Sequence, residues 1–161
     1  MCVLYVSDIR YDENRNLKLV RKRNTKRTDV SVRTPEEAAR LAQELFHAEK
    51  LPVEQSFLIA TNGRYAKYAF LVSTGSVNRS MMLPRDIFVR LLLANAVTGI
   101  LVHNHPSGRP EPSEEDKRCT ERILQASRLM GVPIDDHIIL GSDTFYSMRE
   151  GCLDLSWWRD N

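Results

Sequence analysis

The amino-acid sequence predicts an α/β fold in which one mixed β-sheet is flanked by helices. Strand-like and helix-like segments alternate through the second half of the chain, which is the pattern of a sheet with helices packed against it. A short apolar run, TGILVH at residues 98–103, predicts a buried central strand. The chain of 161 residues shows no repeat and no linker, so its length suits one domain with its own core.

Residues 1–50 are predicted to form a hairpin and a helix that pack on this core. Residues 2–9 and 16–22 alternate loosely around the turn-like DENRN and predict two short strands. Residues 33–50 predict a helix, because Thr34 is a good N-cap, a proline follows it, and two glutamates lie in the first turn. The expected buried stripe of this helix consists of Ala38, Leu41, Ala42, Leu45 and Phe46.

Residues 51–161 are predicted to form the main domain. An Asn-Gly turn separates its first two strands, a proline opens its first helix, and Gly131 and Pro133 end its second helix. The predicted elements are strands at 56–61, 67–74, 98–103 and 134–141, helices at 83–96 and 113–130, and a short segment at 144–148.

Composition excludes several classes of protein. No apolar run approaches the roughly 18 to 20 residues that a membrane span requires, and the amino terminus lacks the pattern of a signal peptide. The three cysteines, Cys2, Cys119 and Cys152, are odd in number and lack C-x-x-C spacing, which argues against a disulfide framework and a cysteine-based zinc site. We therefore expect a cytoplasmic protein without a membrane partner.

Positive charge is concentrated in KLVRKRNTKR, residues 18–27, although the net charge is only +2. Six cations in ten positions could attract the phosphates of a nucleic acid. They could equally form the solvated side of a hairpin whose apolar positions are Leu17, Leu19 and Val30. Charge runs of this size are common on surfaces, which favours the second interpretation.

Two histidines end the predicted central strand. His103 and His105 are two residues apart, so their side chains project to the same face of an extended backbone. A single histidine on an apolar strand is more often a hydrogen-bonded core residue. Two imidazoles at this spacing beside a polar loop form a natural pair of metal ligands.

The helix after the loop begins with a capping pattern, because Ser113 is followed three residues later by Asp116. Such an arrangement is worth about 1 kcal/mol as a structural feature alone. A carboxylate in the first turn of a helix that folds back onto the strand end would also complete a three-ligand site. Two nitrogens and one oxygen are the ligand set of a catalytic zinc, Zn²⁺, which lowers the pKa of water to about 7 for hydrolysis.

Hydrolysis also needs a base and a donor to the developing oxyanion. Ser113 is a candidate donor. Glu54 is a candidate base, because it precedes a strand that is expected to neighbour residues 98–103. The carboxylates that the residues alone leave open as the base are Glu49, Glu54, Asp86, Asp135 and Asp136.

The motif H-x-H-P-S-G followed by P-S-x-x-D resembles the JAMM motif of JAB/MPN metalloproteases, and specifically its RadC branch. The resemblance spans residues 54–151 and includes TGSVNRSMMLPRDIFVRLLLANA and DDHIILG. It implies a single JAB/MPN domain related to cytidine deaminases. It also implies a zinc-dependent peptidase or isopeptidase, with a peptide or protein as substrate.

The resemblance implies a role for each matching residue. His103, His105 and Asp116 would hold zinc, Ser113 would stabilise the tetrahedral intermediate, and Glu54 would be the base. The chain departs from the family pattern at the last of these, because it reads EQSF where RadC proteins carry Glu-x-Phe. It also lacks the helix-hairpin-helix region that precedes the domain in full-length RadC.

The alternative function is a catalytically weak or inactive module that binds DNA or protein in DNA repair. A nucleic-acid deaminase is excluded, because the chain lacks His-x-Glu and P-C-x-x-C. His137 is expected to be structural or to lie behind the ligands. Residues 76–83 could hold an extended substrate as an added strand. Trp157 and Trp158 are expected to cover the core, and the sequence does not indicate an oligomeric state.

Overall fold

A computed structural model describes residues 1–75, 82–151 and Trp158, apart from the side chain of Glu49. The described residues form one mixed sheet of seven strands and four α-helices, which confirms the predicted α/β fold with a mixed sheet flanked by helices. The strands are β1 (Val3–Tyr11), β2 (Leu17–Thr28), β3 (Gln55–Thr61), β4 (Ala66–Thr74), β5 (Thr98–Asn104), β6 (Ile134–Leu140) and β7 (Phe145–Ser147).

The spatial order of the strands is β2-β1-β4-β3-β5-β6-β7, which places β5 inside the sheet. β5 pairs antiparallel with β3 and parallel with β6. In this register His103 lies opposite Ser56 at the start of β3 and opposite Ile139 near the end of β6. The carboxyl end of β5, with its histidines, therefore meets the amino end of β3, as the prediction for Glu54 requires.

Helices cover both faces of the sheet. They are α1 (Pro35–Phe46), α2 (Pro84–Leu93), α3 (Glu114–Met130) and α4 (Met148–Gly151), and a 3-10 turn at Ala48–Lys50 follows α1.

Side chains alternate along the inner strands and supply two hydrophobic clusters. On one face, Leu58 and Leu101 pack with residues of α2 and α3. On the other face, Phe57 and Val102 pack with α1. Each inner strand is thus apolar on both faces, which is why TGILVH reads as a continuous apolar run.

Three predicted boundaries need correction. The helix predicted at 33–50 ends at Phe46, because His47 takes a left-handed backbone conformation with φ of 50° and caps the helix through its N–H to the Gln43 carbonyl. The helix predicted at 83–96 stops at Leu93. The strand predicted at 16–22 continues to Thr28, because β1 pairs with it along its length and register shifts absorb the irregular positions.

The basic run lies on the edge strand β2, and its six cations are exposed. Several of them have partners within the domain. Lys22 forms an ion pair with Asp8, and Arg27 forms one with Glu44. These contacts agree with the solvated side of a hairpin and do not favour the DNA-binding alternative.

Four further expectations concern membrane-spanning helices, the two tryptophans, residues 76–83 and the division of the chain into domains. In the described part of the chain, no helix is long and apolar enough to cross a membrane. Trp158 is 7% exposed and belongs to the core, as expected. Trp157 and most of residues 76–83 lie outside the described residues. The division of the chain at residue 50 stays a prediction.

Candidate metal centre

Two imidazoles meet at the carboxyl end of β5. His103 is buried at the second-last position of the strand. His105 is the first residue after the strand ends at Asn104. Their Nε2 atoms are 3.0 Å apart. The two-residue spacing therefore brings both rings to the same face, as predicted.

Asp116 brings a carboxylate to the same point. Its Oδ1 lies 3.2 Å from Nε2 of His103, and its Oδ2 lies 3.4 Å from Nε2 of His105. One ligand atom from each of the three residues falls within 4.8 Å of the others. The structure thus assembles the predicted ligand set from a strand end and a helix start.

The start of α3 fixes the position of this carboxylate. Ser113 is the N-cap, and its Oγ accepts from the N–H of Asp116. Oδ2 of Asp116 in turn accepts from the Ser113 N–H at 2.7 Å and from the Ser113 hydroxyl at 2.6 Å. The predicted capping box is therefore present, and Asp116 uses one side chain both to cap the helix and to face the histidines.

The chemistry of the three groups fits a cation. Nδ1 of His105 lies 2.8 Å from the Arg109 carbonyl, which can only accept, so the hydrogen of the neutral ring is on Nδ1 and Nε2 is an acceptor. An ionised carboxylate offers acceptors only. Acceptors that converge at about 3 Å repel one another unless a proton or a metal ion lies between them. Two nitrogens and one oxygen form a candidate metal site whose ligand types are compatible with zinc.

The same contacts shift the pKa values of two groups. Burial alone would raise the pKa of Asp116, but its close contacts with the His103 and His105 rings and the hydrogen bond from Ser113 outweigh burial and hold this pKa well below its usual range. The hydrogen bond to Asp116 raises the pKa of His105 above 6.5, although burial opposes the shift. The carboxylate therefore stays ionised, and His105 holds a proton more tightly than free imidazole does.

Glu54 lies beside the histidines, immediately before β3. Its negative charge contributes to the raised pKa of His105. Asn104, between the two histidines, points away from them and holds this segment: its Oδ1 accepts from the Gln55 N–H at 2.8 Å, and its amide donates to the Val53 carbonyl at 3.1 Å. The main chain is thus held on both sides of Glu54.

Two other carboxylates that the sequence left open lie elsewhere. Asp135 and Asp136 are at the start of β6, four and three residues before Ile139, the residue opposite His103. At about 3.3 Å per residue they are roughly 10 Å or more from the strand end. Both are engaged locally, Asp135 by Thr98 and Asp136 by Ser147.

The sequence did not identify Asn104 and Thr120, and it left His137 outside the ligand set. His137 is fully buried behind His103, and its Nε2 lies 2.8 Å from Nδ1 of His103. Burial, followed by the charge of His103, lowers the pKa of His137 well below 6.5. Thr120 contacts the other nitrogen of His137 at 2.6 Å. Its place four residues after Asp116, one helical turn on, was the available signal.

Fold and site together define an α/β domain of JAB/MPN type with a candidate metal centre at the carboxyl end of a central strand. A family model described as the RadC-like JAB domain matches residues 32–153, about three quarters of the chain. The chain belongs to this family. The match includes α1 and begins after the β1–β2 hairpin.

Curated relatives agree with this assignment. The UPF0758 protein of Alkaliphilus metalliredigens is 38% identical over 122 residues, which cover 76% of this chain and 49% of that protein. The UPF0758 protein of Clostridium acetobutylicum is 39% identical over 124 residues, 75% of this chain and 52% of that protein. The UPF0758 protein of Thermotoga maritima is 46% identical over 79 residues, 49% of this chain and 36% of that protein. The chain spans about half the length of the curated relatives that it matches.

Proposed function

We propose that this protein is a zinc-dependent hydrolase of JAMM type that cleaves peptide or isopeptide bonds. The observation that carries the proposal is the convergence of His103, His105 and Asp116 within 4.8 Å at one edge of the sheet. Bound there, zinc would supply Lewis-acid activation of water and of an amide carbonyl. Three protein ligands leave room for such chemistry, whereas structural zinc sites are usually closed by four.

The surrounding residues support hydrolysis rather than mere metal storage. Glu54 is half-buried, the main chain on either side of it is bonded to Asn104, and it lies close enough to His105 to affect the pKa of that ring. We assign it the role of general base, which takes a proton from water and returns it to the leaving amine. Proton transfer by a positioned carboxylate contributes typically about 10² to 10⁴ in rate.

Ser113 is assigned the role of donor to the developing oxyanion. In the present geometry its hydroxyl donates to Asp116, so it must turn away from that carboxylate to serve a substrate. A positioned donor of this kind is worth about 10² to 10³ in rate. The substrate is assigned as a peptide or protein, the class that the JAMM resemblance implies.

The test compares metal content and hydrolysis in the same preparations. Glu54→Gln should bind zinc as tightly as the original protein but should lose at least about 100-fold in the rate of peptide-library cleavage. Glu13→Gln, in the exposed turn between β1 and β2, is the matched control and should change neither quantity. Zinc-loaded protein that leaves every library member intact, or an unchanged rate in Glu54→Gln, would contradict the proposal.

A further inference from the structure

A chain of buried hydrogen bonds connects His103 to the main chain of the helix that carries Asp116. Nδ1 of His103 lies 2.8 Å from Nε2 of His137, and Nδ1 of His137 lies 2.6 Å from Oγ1 of Thr120. Oγ1 of Thr120 lies 2.7 Å from the backbone carbonyl oxygen of Asp116. The side chains of His103, His137 and Thr120 are at most 1% exposed, so solvent does not compete for these hydrogen bonds.

The direction of every bond follows from its last member. The Asp116 carbonyl can only accept, so the single hydrogen of the Thr120 hydroxyl is donated to it. The Thr120 oxygen must then accept from His137, which places the hydrogen of that ring on Nδ1. A neutral imidazole carries one hydrogen, and that of His137 is on Nδ1, so its Nε2 accepts a hydrogen from Nδ1 of His103.

We propose that His137 and Thr120 are positioning residues that hold His103 in the tautomer with its hydrogen on Nδ1. Nε2 of His103, which faces Asp116 and His105, is thereby kept as an acceptor for a metal ion. The metal-related part rests on the proposed function, whereas the tautomer is a property of the protein itself. Asp116 acts at both ends, since its carboxylate faces His103 and its carbonyl anchors the chain behind that ring.

Nδ1 of His103 is connected to a backbone carbonyl through two side chains, whereas Nδ1 of His105 reaches a backbone carbonyl directly. The fold explains this difference. His105 lies just after β5, where the carbonyl of Arg109 in the loop is within reach of Nδ1. His103 lies inside the sheet, where neighbouring carbonyls serve the pairing of β5 with β3 and β6. An acceptor must therefore come from a side chain, and β6 supplies it two residues before Ile139, the partner of His103.

The first test measures the tautomers in metal-free protein labelled with ¹⁵N-histidine. The chain has four histidines, so their long-range ¹H–¹⁵N correlations are few enough to assign. At about pH 8, above the usual pKa of imidazole, both His103 and His137 should carry hydrogen on Nδ1 and none on Nε2. Hydrogen on Nε2 of His137 would mean that the hydrogen bonds run in the opposite direction, and it would overturn the proposal.

The second test uses two matched pairs of variants. Thr120→Val keeps the shape of the side chain but removes the hydroxyl, whereas Thr120→Ser keeps the hydroxyl. His137→Leu removes the acceptor for His103, whereas His137→Gln offers an amide oxygen to His103 and an amide N–H to Thr120. Thr120→Val and His137→Leu should weaken zinc binding by about 10- to 100-fold. Thr120→Ser and His137→Gln should keep most of the original zinc affinity.

The outcomes separate this proposal from the proposed hydrolase. If the original protein binds zinc and Thr120→Val binds it equally well with unchanged tautomers, the positioning role is refuted. If the original protein binds no zinc but shows the expected tautomers, which Thr120→Val alters, the positioning role is supported and the hydrolase fails. The threonine pair keeps the test decisive if His137→Leu does not fold.

Discussion

Helices α1 and α3 begin with the same capping box, but only the second lies at the candidate metal centre. In α1, Thr34 accepts from the N–H of Glu37, and the Glu37 carboxylate reaches back to the start of the helix. In α3, Ser113 and Asp116 make the corresponding bonds. The two boxes therefore satisfy the free N–H groups of a helix start in the same way.

The difference lies in what the rest of the fold brings to each carboxylate. Glu37 accepts from the Ser31 hydroxyl at 2.7 Å and from the Arg33 N–H at 2.8 Å, so it ties a loop to its own helix. Asp116 faces the two histidines at the end of β5. A capping pattern in a sequence thus predicts a helix start. Whether the carboxylate of the cap is also a candidate metal ligand depends on the residues that the neighbouring strand brings opposite it.

The largest effect that would separate the two boxes is on zinc affinity. Asp116→Asn keeps the size of the side chain and an oxygen for the cap, but removes the negative charge. Because loss of a residue behind a ligand already costs about 10- to 100-fold, we expect loss of the ligand itself to weaken zinc binding more than 100-fold. Glu37→Gln makes the same chemical change in α1 and should leave zinc affinity unchanged, as measured by competition with a chromogenic chelator.

Equal zinc affinities in Asp116→Asn and the original protein would break the comparison. The two boxes would then both be purely structural, and the contacts of Asp116 with His103 and His105 would be hydrogen bonds without a metal role.

A smaller effect on zinc affinity is expected from pH, and it involves Asp116 of α3 but not Glu37 of α1. The hydrogen bond to Asp116 raises the pKa of His105, so below that pKa a proton must leave the ring before Nε2 can bind a metal. Zinc affinity should therefore rise with pH by up to about tenfold per unit and level off above the raised pKa, at a pH higher than 6.5. Asp116 adds no slope there, because its lowered pKa keeps it ionised.

Zinc titrations between about pH 5.5 and 8.5, which bracket the usual pKa of imidazole, would measure this slope. His47→Asn is the control, since His47 lies at the end of α1, where an asparagine also tolerates the left-handed backbone, and the slope should persist in that variant. An affinity that is flat across this range would show that no proton is displaced from His105.

Local patterns in the sequence predicted the capping box of α3 and the N-cap residue Thr34 of α1, because a cap depends on residues only a few positions apart. The reciprocal bond of Glu37 was not predicted. The pairing of His103 with His105 was equally local, since alternation along a strand fixes it. By contrast, the bonds of His103 to His137 and of His137 to Thr120 join residues 34 and 17 positions apart. They depend on the register of β5 with β6 and on the way α3 covers the sheet, which no local pattern specifies.

The limits of α1 and β2 escaped prediction for a related reason. No glycine marks the end of α1, and the left-handed conformation falls on His47 instead. Strand β2 continues through a polar, charged run because β1 supplies its partners, so pairing overrides the weak strand tendency of those residues. The roles of Glu54 and Ser113 in catalysis remain predictions, since a fold can bring groups together without stating what they do.

The smallest expected difference between the two boxes is in stability. Thr34→Ala removes an acceptor from the start of α1 and should lower the free energy of unfolding by about 1 kcal/mol. Ser113→Ala removes the corresponding acceptor and also a hydroxyl that donates to the ionised Asp116 carboxylate at 2.6 Å. Since hydrogen bonds to charged groups are worth about 1.5 to 3 kcal/mol, it should cost more than Thr34→Ala.

Urea unfolding of the two metal-free variants would measure this difference, provided that the dependence on urea stays the same as in the original protein. Equal costs would mean that the Ser113 hydroxyl gains nothing from Asp116 and is already free to turn. A larger cost for Ser113→Ala would mean that the hydroxyl is held by the carboxylate and that part of this bond must be given up before Ser113 can serve a substrate. The difference between the two caps would then measure how much the bond from the Ser113 hydroxyl to Asp116 stabilises the fold.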